Sequence, residues 1–581
     1  MDNITIATIL DETAALLEIS GADPFRIRSY RRAAESVEQQ TQPLAAMVDE
    51  PKQLLAIAGI GKGMAANIID IVKTGSMQVR EELLQTYKPT MLDLLKLPGM
   101  GPKTVGLVWE ALGVADIDAL ETAAKEGKLT TLPRFGEKQV QKLLKGIEDY
   151  RRNASSFRID EADEAAQRIG ALILAFPGIE TVTPAGSLRR GKEAVGDLDL
   201  LATGPACEPE VVSAAVEHVA TLPMIANLMA KGQNKVSFAL RNGMQVDVRL
   251  LPKASYGAAL QYFTGSKMHN VSLRQRALKL GYTLSEYALA SMEDDSIVAA
   301  ATEESIYKAL GMDWIPPEMR ENNGELDLAL QHKLPELIAL TDLRGDIHMH
   351  TVESDGTQTI REMAEAALER GYAYIAITDH SKNLAMTNGM DDKRAVAHAK
   401  RVREVEKEME GRIRIFSGVE VDILAGGELD LADETLAQLD VVIASVHTLF
   451  NQPVQQMTER ILKALENPYT RVLGHPTGRK VLKREAYAVN LEAVLKRAAE
   501  LGVAVEHNAS PARLDLKDRE LRMAKEFGCK FVVNTDAHSI PDMAKMRFGV
   551  TQLRRAWLTK DDVLNTLGAN EFLKALRARP K

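Results

Sequence analysis

Seven short apolar runs between residues 345 and 538 each end in a histidine or a carboxylate, with helix-like segments between them. Their endings are GDIHMH (His348, His350), YIAITDH (Asp379, His380), IFSGVE (Glu420), VVIASVH (His447), RVLGH (His475), VAVEHN (Glu506, His507) and VVNTDAH (Asp536, His538). Runs of this kind read as buried parallel strands joined by crossover helices, here segments such as 360–370 and 491–501. Parallel strands deliver their C-terminal residues to one end. The pattern therefore predicts a seven-stranded (β/α) barrel with potential ligands gathered in its mouth. Eight of the eleven histidines lie beyond Leu343. A lone histidine is usually a satisfied core or surface residue, but imidazoles mixed with carboxylates suit manganese, zinc or iron. His398, on a helix rich in Lys and Arg, and His507 fall outside the pattern and read as structural.

At 581 residues the chain is longer than one hydrophobic core serves, so other domains precede the barrel. Residues 186–200, GSLRRGKEAVGDLDL, place a Gly-Ser turn and paired arginines before two aspartates one residue apart. In an extended strand Asp197 and Asp199 project from one face while Leu198 and Leu200 enter the core. Carboxylates that close repel unless a cation sits between them, and the turn upstream suits phosphate. The run thus reads as a divalent-metal site for phosphoryl transfer. Downstream, MQVDVRL (244–250) puts Gln245, Asp247 and Arg249 on one face with Val246 and Val248 on the other. If that strand lies beside Asp197 and Asp199, its carboxylate completes a two-metal site.

The N-terminal third reads as short helices. LLAIAGIGKGMAANII (54–69) and LLKLPGMGPKTVGLVW (94–109) repeat one pattern. Each resembles a helix-hairpin-helix motif, in which Gly59-x-Gly61 or Gly99-x-Gly101 aims backbone N–H groups at a helix N-terminus. That geometry receives a DNA phosphate without reading sequence, and Lys62 and Lys103 stand where they reinforce it. A weaker third copy at 129–144 has Arg134 in place of the first glycine. Arg26, Arg28, Arg31 and Arg32 surround Tyr30, either as a phosphate site or as a solvated face. The net charge of −9 argues against nucleic acid as a partner, but acidic metal sites and local cationic surface coexist in one chain. No apolar run approaches the roughly 18 residues of a membrane span. The N-terminus lacks a basic signal region, and two distant cysteines, Cys207 and Cys529, fit a reducing cytoplasm.

Residues 259–287, ALQYFTGSKMHNVSLRQRALKLGYTLSEY, complete a resemblance to family X DNA polymerases, the group containing animal DNA polymerase β. The hairpins, the Gly-Ser-x-Arg-Arg…Asp-x-Asp stretch and the Asp247 strand occur in that family's order. The resemblance implies that Gly186, Ser187 and Arg190 hold a triphosphate and that Asp197, Asp199 and Asp247 bind two magnesium or manganese ions. It places Tyr262, Phe263 and Gly265 along the sugar pocket and aims Asn270 and Arg274 at the nascent base pair and template. Some members carry a Schiff-base lysine for abasic-site lyase activity. Here that position is Asn67, which cannot form the adduct.

The pattern HMHTVESDG…TDHS…GVE…H…GHP…TDAH likewise resembles the PHP (polymerase and histidinol phosphatase) domain, a distorted seven-stranded barrel with three divalent metals. By that match His348, His350, Glu420 and Asp536 hold one metal, and Glu420 bridges to a second held by His447 and His475. Asp355, His380 and His538 hold the third. The expected fold is multidomain, α+β and α/β. It comprises a helical domain over 1–85, a second helical subdomain over 86–150, a nucleotidyltransferase palm over 151–250 and a nucleotide-selecting subdomain over 251–318. A linker over 319–340 and the PHP barrel over 341–581 follow. The resemblance implies a cytoplasmic, nucleoid-associated monomer that fills short gaps in DNA and carries a 3′-5′ exonuclease. Arg479, Lys480, Lys483 and Arg484 are candidates for steering the strand. The rival enzyme reading makes the barrel a small-molecule phosphatase akin to histidinol phosphatase.

Overall fold

The computed structural model describes residues 3–38, 44–48, 51–57, 59–133, 135–154, 156–384 and 387–578. The chain forms two compact units, Met1–Ala154 and a larger one built from Ser155–Leu384 and Asn388–Lys581. In the first, helices stand at Asn3–Ile19 and Pro24–Glu38, and each Gly-x-Gly hairpin opens a helix, Lys62–Thr74 or Pro102–Leu112. Lys62–Thr74 turns Met64, Ala65, Ile68 and Ile71 inward at one-face spacing, onto a core with Leu10, Ile27 and Tyr30. Pro102–Leu112 buries Val105 and Val108 in a second core with Leu94, Leu120 and Leu143. Gly106 permits that packing, because a Cβ there would lie 2.7 Å from the Ile19 carbonyl oxygen. Arg134, which interrupts the third hairpin pattern, lies outside the described residues.

The second unit opens with a five-stranded sheet in the order Thr181–Pro184, Asp197–Thr203, Gln245–Leu251, Lys235–Leu240, Ile225–Lys231. Asp197–Thr203 and Gln245–Leu251 pair in parallel, and the other neighbours are antiparallel. Leu198, Leu200, Val246 and Val248 are fully buried against helices Ile159–Leu174 and Val212–Ala220. By the two-residue period the acids Asp197, Asp199 and Asp247 take the opposite face. Helices Tyr256–Thr264, Lys267–Lys279 and Glu303–Ala309, with a small antiparallel sheet, then share a core around Leu273, Ile306 and Tyr307.

Residues 319–340, expected as a linker, are built into that core. Helix Glu325–Leu330 buries Ala329, and Leu326, Leu330, Leu334 and Leu337 pack against the cluster. The polar Glu-Asn-Asn-Gly run before them hides this apolar spacing from a composition-based reading. Glu303, only 4% exposed, balances the region electrostatically. Arg189 reaches both its oxygens at 2.8 Å, and Arg320 reaches them at 2.7 and 3.1 Å. Burial works against the Glu303 charge, but Arg320 and Arg189 outweigh it and hold the pKa at about 2.

The barrel has seven parallel strands in chain order: Gly345–Asp346, Tyr374–Ile377, Arg414–Asp422, Val441–Ser445, Val472–Leu473, Ala504–Asn508 and Phe531–Asn534. A bridge from Met349 to Ala537, with the His350 N–H donating to the Ala537 carbonyl at 2.8 Å, nearly closes the ring. Alternate residues separate into different cores although all are buried. Ile347, Tyr374, Ala376, Phe416, Ile443, Val472, Ala504 and Val532 form the interior, which the terminal helix Ala569–Arg577 enters with Phe572. Ile375, Ile377 and Ile415 pack instead with the crossover helices Ile360–Glu369 and Asp392–Glu408.

Replacing Glu303 by glutamine leaves Arg189 and the buried Arg320 without their counter-charge, so Glu303→Gln is expected to lower stability by about 3–5 kcal/mol. Because the folded pKa is depressed, this stabilisation is complete above the ordinary glutamate value of 4.5 and is lost as pH falls towards about 2. Urea unfolding followed by tryptophan fluorescence reads both effects, since Trp314 Nε1 donates to Glu303 at 3.1 Å.

Candidate active sites

Parallel pairing in the palm sets Asp199 directly opposite Asp247, with Asp197 opposite Gln245. Lys235 Nζ lies 3.0 Å from Asp247 Oδ2. The Gly186 turn closes on this group: Gly186 has φ 55°, and a Cβ on it would sit 2.5 Å from Asp199 Oδ2, so only glycine fits. Burial, then repulsion from Asp197 and Asp247, pushes the Asp199 pKa up to about 7. Burial also opposes charge on Asp247, but hydrogen bonds from Ser237 and Lys235 outweigh it and hold that carboxyl below the usual range. Asp247 Oδ1 and Ser187 Oγ are buried without hydrogen-bond partners. An orphaned carboxylate oxygen among three acids fits a divalent cation, the balance the site otherwise lacks.

Of the other residues expected around a nucleotide, Arg190 and Gly265 meet beside this turn, and the rest lie along the two helices that flank Gly265. Arg190 Nε donates to Glu321 Oε1 at 3.1 Å, and its Nη1 donates to the Thr264 carbonyl beside Gly265. The Tyr262 and Phe263 rings pack edge to face, centroids 5.1 Å apart, and the Arg249 guanidinium lies 4.1 Å over Phe263. Asn270 is committed at two atoms, accepting from Gln261 Nε2 at 2.8 Å and donating to the Tyr262 carbonyl at 2.7 Å. It therefore pins the Tyr262 segment and keeps one amide hydrogen spare. Arg274 donates to the Asn270 carbonyl at 3.3 Å and lies 6.0 Å from the Tyr262 ring centroid.

All nine residues expected in the barrel converge on its mouth. His348, His350, Glu420 and Asp536 offer atoms within 4.8 Å of one another, as do His350, Asp355, His380 and His538, and also His380, Glu420 and His447. His475 Nε2 approaches Glu420 Oε1 at 2.9 Å and His447 Nε2 approaches it at 3.2 Å, so Glu420 stands between the groups. His350 and His380 each fall in two of the groups, a sharing that the linear pattern does not specify. His348 Nε2, His350 Nδ1 and Glu420 Oε2 are buried without hydrogen-bond partners, an arrangement that fits metal ions. His475 and Asp536 have φ of 23° and 54°, backbone strain that non-glycine residues carry chiefly at functional sites.

A second layer of carboxylates, missed in the sequence, orients these ligands. Glu506 Oε1 lies 2.7 Å from His348 Nδ1 and accepts from Asn534 at 2.9 Å, while its Oε2 accepts the His475 N–H at 2.8 Å. Asp422 Oδ1 lies 3.1 Å from His447 Nδ1. Both acids carry a signal in hindsight: Asp422 stands two residues after Glu420, and Glu506 is a carboxylate inside the run that becomes the buried strand Ala504–Asn508. His398 pairs with buried Asp379 at 3.0 Å, and His507 Nδ1 bonds the Leu516 carbonyl at 3.1 Å, so neither approaches the mouth. Burial opposes charge on His447 and His538, but Glu420 with Asp422, and Asp355 with Asp536, outweigh it and raise both imidazoles to about 9. Arg479, a candidate for steering DNA, is instead buried on Glu193 and the Leu514 carbonyl, and Arg484 stacks 4.0 Å over Phe450.

In the first unit Gly59 and Gly99 take φ of 89° and 81°, while Gly61 and Gly101 cap their helices with open space where a side chain would stand. Lys62 and Lys103 are exposed in the first turns. Asn67 donates to the Tyr30 hydroxyl at 2.9 Å.

Family models match in four places: "Helix-hairpin-helix domain" at 1–77, "SAM-like Helix-hairpin-helix tandem" at 91–149, "DNA polymerase beta thumb" at 259–321 and "PHP domain" at 346–511. Over 575 residues the chain is 37% identical to the DNA polymerase/3′-5′ exonuclease PolX of Bacillus subtilis, covering 98% of this chain and 99% of that one. The chain belongs to the PolX family. Another relative, a probable phosphatase of Thermoanaerobacter sp., is 33% identical over 235 residues, 38% of this chain and 89% of its own. A solved ternary complex of Leishmania infantum polymerase beta shares 23% identity over 40% of this chain and 98% of its own, at a TM-score of 0.27, too loose to carry weight.

Two outcomes follow from the second layer of the barrel site. Glu506→Gln is expected to weaken metal binding about 10–100-fold, measured by chelator competition. His447 and His538 must lose protons to bind a metal, so uptake strengthens as pH rises towards about 9 and releases protons. Calorimetry in buffers of different ionisation enthalpy reads that release.

Proposed function

We propose that this protein is a DNA-directed DNA polymerase that fills short gaps during repair and trims 3′ ends at its barrel. The observation that carries the first activity is the register of Asp199 opposite Asp247 beside the Gly186 turn. In this reading Asp197, Asp199 and Asp247 hold magnesium or manganese. The nine barrel residues hold three divalent ions, manganese, zinc or iron. Such ions, when bound, polarise phosphoryl oxygens and ease deprotonation of an attacking hydroxyl.

The chain's own residues supply the rest. Gly186 lets the turn approach Asp199, which brings Ser187 and Arg190 to the triphosphate next to the carboxylates. The Tyr262–Phe263 pair, braced by Arg249, gives a rigid aromatic wall for the deoxyribose, with Gly265 beside it. Asn270 and Arg274 hold that wall and face the base pair. Gly59, Gly61 and Lys62, with Gly99, Gly101 and Lys103, receive phosphates of the DNA. Glu506 and Asp422 fix the tautomers of His348 and His447. Asn67, lacking a nucleophilic amine, argues against a lysine-dependent lyase step at that position, with Lys62 and Lys73 nearby but offset.

The gapped or primer-template DNA and deoxynucleoside triphosphates are the partners this reading requires. No helix among the described residues is long and apolar enough to cross a membrane. We assign the protein to the cytoplasm, at the nucleoid, as a monomer with the domain boundaries expected above, save that residues 319–340 belong to the nucleotide-selecting subdomain. The barrel's likeness to a probable phosphatase supports phosphomonoester hydrolysis as a second reading of that site.

A 5′-labelled primer on gapped DNA with manganese, with and without deoxynucleotides, separates the two sites. Asp247→Ala is expected to lose extension about 10³-fold or more and to keep shortening, and His348→Ala to do the reverse. Loss of both activities in both variants, with the fold intact, would falsify the two-site reading. Release of phosphate from a 3′-phosphorylated primer without shortening would favour the phosphatase reading.

A further inference from the structure

The loop between the phosphate-facing turn and the aspartates, residues 190–193, is held from outside the palm. Arg555, at the end of barrel helix Met546–Arg555, donates through Nη1 to the Arg190 carbonyl at 2.6 Å and to Glu321 Oε1 at 3.1 Å. Its Nη2 donates to Asp518 Oδ2 at 2.7 Å. Gln552, one turn earlier, donates to the Gly191 carbonyl at 2.7 Å. Arg479 forks onto Glu193 at 2.8 and 2.6 Å. These three barrel residues are 3%, 2% and 4% exposed, so water competes little for their partners. At Gly191, with φ 69°, a Cβ would lie 2.1 Å from Thr551 Cγ2, which shows how closely the helix runs on the bare loop.

Glu321 Oε1 is shared, 3.1 Å from Arg190 Nε and 3.1 Å from Arg555 Nη1. An arginine that turns towards a triphosphate has to leave its carboxylate, and a partly buried carboxylate left alone is costly. Arg555 lowers that cost, because Glu321 keeps it as a hydrogen-bonded cation at 3.1 Å when Arg190 departs, whereas Lys192 Nζ, partly exposed and 4.0 Å away, is the weaker neighbour. Meanwhile the Arg190 backbone stays anchored through its carbonyl, so only the side chain needs to move.

We propose that Arg555 is a positioning residue for nucleotide addition: the barrel fixes the Arg190 loop and gives Glu321 a second hydrogen-bonded arginine. The barrel is then a working part of the nucleotide site as well as the bearer of its own. This rests on reading Asp197, Asp199 and Asp247 as a nucleotidyl-transfer site.

The test uses the full chain on gapped DNA, with extension measured across deoxynucleotide concentrations and shortening measured without them. Arg555→Met is expected to raise KM for the deoxynucleotide about tenfold while kcat stays within about twofold, the signature of lost ground-state positioning. Arg555→Lys should recover part of that affinity, and shortening should proceed at the unaltered rate in both. Gln552→Leu, which frees only the Gly191 carbonyl, should shift KM in the same direction by about threefold and serves where Arg555→Met fails to fold. A KM unmoved in every folded variant overturns the proposal. So does loss of extension and shortening together in an Arg555 variant that stays folded at the assay temperature but has a lowered thermal midpoint, which marks Arg555 as a structural strut. If the unaltered chain shortens DNA but never extends it, the nucleotidyl-transfer reading falls and takes this proposal with it.

Discussion

Charge buried away from water has to be balanced inside the fold, and the second unit is arranged around places where that balance is struck. At the barrel mouth nine imidazoles and carboxylates share a space too small and dry for them to ionise independently. His348 is held well above the ordinary histidine range and Asp536 well below the carboxylate range, in each case against the opposing effect of burial. In the palm three acids have Lys235 and Arg249 beside them, and Asp199 carries the imbalance as a raised pKa. Both sites are built to be completed by a cation. Glu303 is the contrasting case, satisfied within the chain by Arg189 and Arg320. It ties the Gly186 turn to the helices around Leu273 and Ile306.

Parallel strand pairing delivers the acids in both places, by different routes. In the palm one parallel pair among antiparallel neighbours sets Asp199 against Asp247 across a long stretch of sequence. In the barrel seven parallel strands bring all their C-terminal ends to one mouth. The same architecture leaves room underneath for carboxylates such as Glu506, which bond the outer nitrogen of a ligand and fix its orientation. Strain at His475 and Asp536 is borne because strands and ligands on all sides hold those residues in place.

The barrel is joined to the palm by Arg479, Gln552, Arg555 and the apolar contacts of Val481, Leu514 and Phe548 with the palm core. The ion pair of buried Arg479 with partly exposed Glu193 adds little net energy but specifies one docking geometry, since Arg479 alone would be left charged and dry. That docking converges on residues 190–193, beside the Gly186 turn.

Much of this was legible in the chain, and the reasons differ by element. The two-residue alternation of 197–200 and 245–250 named the faces correctly because a one-residue slip would put aspartates in an apolar core. Histidines at strand ends announced the barrel mouth because parallel topology leaves them nowhere else to gather. Local patterns also marked the Gly59 and Gly99 hairpins, whose backbone conformation only glycine adopts readily. Other features depend on partners remote in sequence. Glu506 and Asp422 became orienting groups only when strands closed around them, Arg479 turned inward only because Glu193 lies opposite, and residues 319–340 folded because a core was waiting for their leucines. The sequence by itself determined which residues are able to ligate, cap and fill. The tertiary structure decided which charges face one another, because electrostatic balance in a dry interior depends on distances of a few ångströms between groups hundreds of residues apart.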